Sequence, residues 1–300
     1  DETLRDPGRS APLQLSIDLS VQAGLEEVLA GGMMLMNARG AAAVLMDAHS
    51  GEILAMASLP DFDPNARPMP ALSGDPADSP LFNRAVQGVY ELGSVFKAFT
   101  IAQAIEMGQI TPNDMIDTRG PLRIAGFNIR DYRSNGPQQS VHDVFTHSSN
   151  IGTARIAQLI GGEGQRAFLD QLGLLTPAPI EIIEARNARP LVPARWGELS
   201  TMTISYGHGL STSLVHLAGA YATMVNGGTQ VVPTLLRQDL PRQGARIISE
   251  ATSQQMRAMM RATVTEGTAS FAEVEGYAVG GKTGTADLPR PTGGYYEDRN

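Results

Sequence analysis

The chain has 300 residues, 42% hydrophobic and 18% charged, which is enough length and apolar content to bury a core and too little charge for a disordered chain. Its formal net charge is -8 and it has no basic run, so it lacks the electrostatic footprint of a nucleic-acid binder. It has no cysteine, which excludes disulfides, thiolate catalysis and cysteine-ligated metals.

In chain order, residues 1–12 read as a polar lead-in and Leu13–Ile17 alternates like a short strand. From Ser20 a helical stripe runs through Leu25, Val28, Leu29 and Met33. The apolar runs Ala41–Asp47 and Glu52–Ser58, joined by Ala48-His-Ser-Gly51, predict an antiparallel hairpin. Residues 59–90 hold six prolines and predict a long loop. The spacing of Val95, Phe96, Phe99, Ala102 and Ile105 predicts a helix over Ser94–Met107.

Residues 109–139 read as irregular, with short strands near Leu122–Ile124 and Phe127–Ile129. Helices are expected over 140–147, 150–161 and 164–174, a loop-rich stretch over 175–212, and a further helix over Ser213–Val225. Val231–Leu236 predicts a strand, Ser249 an N-cap for a long helix ending near Glu266-Gly267, and Tyr277–Thr285 a last strand before a Pro/Gly-rich tail. Strands at both ends and helices between them predict an α+β chain, with 13–99 and 229–300 as an antiparallel sheet lobe, 100–228 as a mostly helical lobe, and a cleft between.

Of 23 basic residues only two are lysines, Lys97 and Lys282. Arginine does not lose its proton at working pH, whereas a buried lysine does. Both lysines sit in short motifs. Ser94-Val-Phe-Lys97 places a hydroxyl and an amine one helical turn apart, and a lysine with a lowered pKa is a base for a serine nucleophile. Gly93 suits a sharp entry at the helix N-terminus, where free N–H groups face outward. Ser148-Ser-Asn150 offers a hydroxyl for proton relay and an amide that can hold a lysine on one side and a substrate on the other, although taken alone it reads better as a helix cap. Gly280-Gly-Lys282-Thr283-Gly284-Thr285 offers a strand edge, an ammonium and two hydroxyls for an extended peptide and its carboxylate.

In that order the three motifs resemble the S-x-x-K, S-D-N and K-T-G set of penicillin-binding proteins and class A β-lactamases. The approach Asn83-Arg-Ala-Val-Gln-Gly-Val-Tyr-Glu-Leu-Gly-Ser94 resembles that of class B penicillin-binding proteins, with Glu91-Leu92 where many members have Glu-Pro. Ser50–Ala57, Asn226-Gly-Gly and Gly267-Thr-Ala269 are similar too. Asn150, where elongation-type members tend to have Asp, resembles the cell-division branch, penicillin-binding protein 3 type.

The resemblance implies the transpeptidase fold over 1–300 and a peptidoglycan D,D-transpeptidase without metal or cofactor. Ser94 would be nucleophile and Lys97 general base, with Ser148 and Asn150 completing the proton network. The backbone N–H groups of Ser94 and Thr285 would form an oxyanion hole, and Lys282, Thr283, Gly284 and Thr285 would hold the substrate. Implied partners are stem peptides ending in D-Ala-D-Ala, β-lactams and, for the whole protein, membrane proteins of the division machinery at the periplasmic face of the inner membrane.

Only 14 residues follow Ala286 and the chain opens at Asp1-Glu-Thr-Leu, so an internal fragment is expected, truncated before the family's last two strands and without an anchor. A D,D-carboxypeptidase shares the acylation half. A β-lactamase needs a deacylating Glu, and no E-x-x-L-N string occurs. A catalytically silent β-lactam-binding or division scaffold is the third alternative. His49, His142, His147, His208 and His216 form no H-E-x-x-H pattern and read as capping or surface residues, with His208 expected beside the cleft.

Overall fold

The computed structural model describes residues 12–70, 73–240 and 244–287. Helix α1 (Leu19–Leu35) starts where Asp18 accepts hydrogen bonds from the backbone N–H groups of Ser20 and Val21. It lies on the hairpin of β1 (Ala41–Met46) and β2 (Ile53–Leu59), antiparallel with a register shift between Leu45 and Met46. After the loop with 3-10 turns at Pro64–Ala66 and Pro76–Asp78 comes β3 (Tyr90–Glu91), then a 3-10 turn over Gly93–Phe96 that runs into α2 (Lys97–Glu106).

Four short strands follow: β4 (Met115–Asp117), β5 (Leu122–Ile124), β6 (Phe127–Ile129) and β7 (Gln138–Ser140), paired β4 with β7 and β5 with β6. Next come α3 (Val141–Thr146), α4 (Asn150–Ile160), α5 (Gly162–Gln171) and α6 (Glu198–Ser205). The strand β8 (Ser211–Thr212) pairs with β3, and α7 (Leu214–Val225) and α8 (Glu250–Thr265) follow, capped by Ser213 and Ser249.

Helix α2 is the axis of the molecule. Every residue from Lys97 to Ala104 is buried. Around it close Phe96, Phe99, Phe145, Ile156, Leu174, Ile204, Met224, Met256 and Met259. Phe96 and Phe99 meet edge to face at 5.3 Å, and Phe99 meets Tyr221 at 5.4 Å. Each fully buried Phe is worth roughly 1.5–3 kcal/mol of transfer free energy, so this cluster fixes α2 firmly. Because α8 shares this cluster, the larger core runs across the expected lobe boundary at residue 229. A smaller core under the hairpin holds Ile53, Val86 and Val215.

Several expectations change. The segment Tyr277–Thr285 is not a strand: among the described residues no strand pairs with it, and a strand exists only through its ladder. Instead it is tied to α8, Gly281 N donating to Met260 O at 3.0 Å and Arg261 Nη1 to Val279 O at 2.8 Å. Leu13–Ile17 and Val231–Leu236 are also not strands; they form no ladder, only the isolated bridges Leu15↔Leu236 and Glu52↔Thr234 with a few backbone hydrogen bonds around them. Helix α6 and the strands β4 and β7 break up stretches expected to be loop or irregular. The Pro/Gly-rich tail after Asp287 and lead-in residues 1–11 lie outside the described residues.

Candidate active site

Ser94 stands on the 3-10 turn and Lys97 is the first residue of α2, so the predicted one-turn spacing brings Lys97 Nζ to 2.6 Å from Ser94 Oγ. Gly93 has φ +58, and a Cβ there would collide with the backbone oxygen of Thr285. A Cβ on Gly207 would in turn run into the backbone of Gly93, whose N–H donates to Gly207 O at 3.2 Å. Three backbones therefore touch behind the nucleophile, and only glycine permits it. The Ser94 and Thr285 main chains are brought side by side at the mouth of a cleft.

Lys97 Nζ also lies 2.9 Å from Ser148 O, 2.9 Å from Ser148 Oγ and 2.7 Å from Asn150 Oδ1, so with Ser94 Oγ it faces four oxygens, of which a neutral amine donates to two and accepts from a hydroxyl through its lone pair. Its side chain is completely buried. Burial is the largest influence on it and pushes the ammonium well below the ordinary lysine value; the charge of Lys282 pushes the same way and Asp131 opposes both. A neutral amine here has a lone pair free to take the Ser94 proton.

Ser148, two residues past the end of α3, has φ +64, a left-handed conformation uncommon outside glycine. That kink turns its side chain between the two lysines, since Lys282 Nζ donates to the same Ser148 Oγ at 3.0 Å. Burial lowers Lys282 to about 8. The ammonium of Lys282 also sits 6.0 Å from the centre of the Phe145 ring and donates to Thr283 O at 3.0 Å.

Asn150 opens α4, and its Nδ2 donates to Arg130 O at 3.0 Å, which leaves Oδ1 for Lys97. Thr283 Oγ1 lies 3.0 Å from Thr268 Oγ1, while Gly284 and Thr285 are exposed to the cleft.

All these groups line or back one cleft of about 920 Å³, bordered by Ser94, Ser148, Asn150, Thr283–Asp287, Thr268, Asp131, Tyr132 and His208. His208 therefore stands where it was expected, with its ring 5.2 Å from that of Tyr206. His142 is elsewhere, 3.6 Å from Glu266, and His216 is buried in the cap of α7. Asp131 was not anticipated, and nothing near it in sequence marks it; its partners lie 18 and 20 residues away. Thr268 lies in the Gly267-Thr-Ala269 segment already noted and Gly207 beside His208, but their contacts with Thr283 and Gly93 were not anticipated.

Fold and site define a class: an α+β domain in which an S-x-x-K serine, an S-x-N loop and a K-T-G segment converge on one cleft. The family profile described as "Penicillin binding protein transpeptidase domain" matches residues 41–300, and the chain belongs to that family. It is 40% identical over 290 residues to the "Probable peptidoglycan D,D-transpeptidase FtsI" of Caulobacter vibrioides, covering 95% of this chain and 48% of that protein. It is 30% identical over 284 residues to the peptidoglycan D,D-transpeptidase FtsI of Escherichia coli, covering 94% of this chain and 47% of that one. The chain thus spans about half the length of the curated relatives it matches.

Among solved structures, the transpeptidase domain of Burkholderia pseudomallei penicillin-binding protein 3 superposes with a TM-score of 0.82 at 30% identity, over 97% of this chain and 82% of that one. Penicillin-binding protein 3 of Mycobacterium tuberculosis complexed with aztreonam superposes with a TM-score of 0.84 at 29% identity, over 95% of this chain and 67% of that one.

Proposed function

We propose that the chain carries the acyl-transfer site of a peptidoglycan D,D-transpeptidase of the penicillin-binding protein 3 type. The observation that carries this reading is the buried Lys97 amine, 2.6 Å from Ser94 Oγ and held by Ser148 and Asn150. Ser94 Oγ attacks the carbonyl between the two D-alanines of a stem peptide while its proton passes to Lys97. The oxyanion is met by the N–H groups of Ser94 and Thr285. The C–N bond breaks, the proton is relayed to the departing amine through Lys97 and Ser148, and D-alanine leaves. An amine of a neighbouring stem peptide then attacks the ester, its proton returns to Ser94 Oγ, and the cross-link is made.

Lys282, Thr283 and Thr285 hold the substrate carboxylate beside the nucleophile. A β-lactam enters the same way, but its opened ring keeps the leaving amine tethered, so the ester persists. Asn150 and the FtsI and penicillin-binding protein 3 names of the relatives support a role in septal wall synthesis. The whole protein would then act at the periplasmic face of the inner membrane with division proteins as partners. Among the described residues no helix is long and apolar enough to cross a membrane.

The test is incubation with a fluorescent penicillin and mass mapping of the adduct. Persistent label on the Ser94 peptide, absent in Ser94→Ala, is expected. No label on the wild-type chain would mean a silent scaffold, and label lost within minutes would mean a hydrolase.

A further inference from the structure

Asp131 lies just after β6, with its carboxylate half-buried against the start of α4. One oxygen accepts from Ser149 Oγ at 2.7 Å and the other from Ile151 N at 3.0 Å. Ser149 Oγ itself accepts from Gly152 N at 2.9 Å, so the helix already has its side-chain cap. The acid therefore adds something a cap does not need. It clamps Ser149 between Ser148, with its left-handed backbone, and Asn150, the two residues whose other sides hold Lys97. The adjoining Arg130 carbonyl orients the Asn150 amide in the same sense. Left-handed backbone at a serine costs of order 1–3 kcal/mol and persists only where surrounding contacts over-determine it.

We propose that Asp131 is a positioning residue of the acylation site, locking Ser148-Ser149-Asn150 in the shape that presents its acceptors to the base beside Ser94. The proposal rests on the Ser94–Lys97 reading given above. It has an electrostatic consequence. The Asp131 charge favours the protonated form of Lys97, against the opposing charge of Lys282. Arg133, His147, His208, Glu266 and Asp287 border the same cleft and stay unchanged in the comparison below.

The experiment is the rate of acylation by a fluorescent penicillin across pH for wild type, Asp131→Asn and Ser149→Ala, with folding followed by circular dichroism. Asp131→Asn leaves one acceptor for two donors and removes the charge. Its plateau rate should fall by about ten- to a hundredfold, the cost of a small misplacement of reacting groups. Its acid limb should move to lower pH, because the amine of Lys97 then gives up its proton more readily. Ser149→Ala keeps the charge and should be slowed with its acid limb in place.

Wild-type rates with superimposable limbs in folded Asp131→Asn would overturn the proposal and leave Asp131 a helix cap. Should Asp131→Asn not fold, Ser149→Ala decides: a wild-type rate overturns the proposal and a slowed rate with an unmoved limb supports it. A wild-type chain that takes no label on Ser94 would instead overturn the underlying reading, which separates the two failures.

Discussion

The two lysines of this chain stand at opposite ends of one hydroxyl and are treated in opposite ways by the fold. Lys97 grows from the most deeply buried helix, and its amine has four polar contacts, all from residues of its own turn or of the α3–α4 junction. Lys282 grows from an extended segment without a paired neighbour among the described residues, steadied by a few bonds to α8 and by Phe145. The difference fits the two roles proposed for them. A base has to be dry and caged, since desolvation is what strips an ammonium of its proton. A carboxylate anchor has to keep its charge and stay open to the ligand, so it is only partly covered and its pKa falls only to about 8.

The largest effect should come from breaking the caged side. Lys97→Arg keeps a positive charge but cannot lose its proton, so acylation by penicillin should slow by about 10²–10⁴-fold, measured by rate of label incorporation. A variant within tenfold of wild type would mean that another group takes the Ser94 proton.

Breaking the open side should cost less and leave a different signature. Lys282→Gln removes the ammonium that meets the ligand carboxylate, and about 10–100-fold in acylation should follow, mostly as weaker binding. The sign of the pH dependence separates the lysines. The anchor works protonated, so wild-type acylation should decline as pH rises through about 8, the value for Lys282. The base works deprotonated, so acylation should decline at lower pH as Lys97 gains a proton. In Lys282→Gln the alkaline limb at that position should vanish while the acid limb survives. An alkaline limb unchanged by Lys282→Gln would assign it to another group.

The smallest effect belongs to the hydroxyl pair on the open wall. Thr268→Val takes away the partner of Thr283 Oγ1, and a neutral hydrogen bond worth about 0.5–1.5 kcal/mol predicts a loss of roughly two- to tenfold in acylation. No change would show that Thr283 orients itself.

The same contrast explains what the sequence revealed. On the caged side the Ser94–Lys97 pair was legible because its geometry is local, i and i+3 on a helix, whereas Ser148 and Asn150, 51 and 53 residues further on, were legible only through the resemblance to a set of motifs. The hairpin, α2, α7 and α8 were likewise legible locally, through periodicity and caps such as Ser213 and Ser249. Asp131 was not, because an acid after a short hairpin has no local pattern, and only the folded chain shows what it reaches. Tyr277–Thr285 misled because Tyr277, Val279, Thr283 and Thr285 favour a strand and fall on alternate positions, while its glycines disfavour one and ladder pairing depends on a neighbour elsewhere. Helix α6 was hidden by the Gly/Pro content around it and by its few apolar residues, Met202 and Ile204 among them, that face the core.

Because the chain contains only two lysines, nitrogen-15 labelling at lysine gives a spectrum with just two side-chain amine signals, assigned by the loss of one in Lys97→Arg. Titrated in the free protein, the Lys97 signal should pass from ammonium to neutral amine well below the ordinary 10.5, and the Lys282 signal near 8. A Lys97 that stays an ammonium up to its ordinary value would contradict the claim that the fold holds an uncharged base against Ser94.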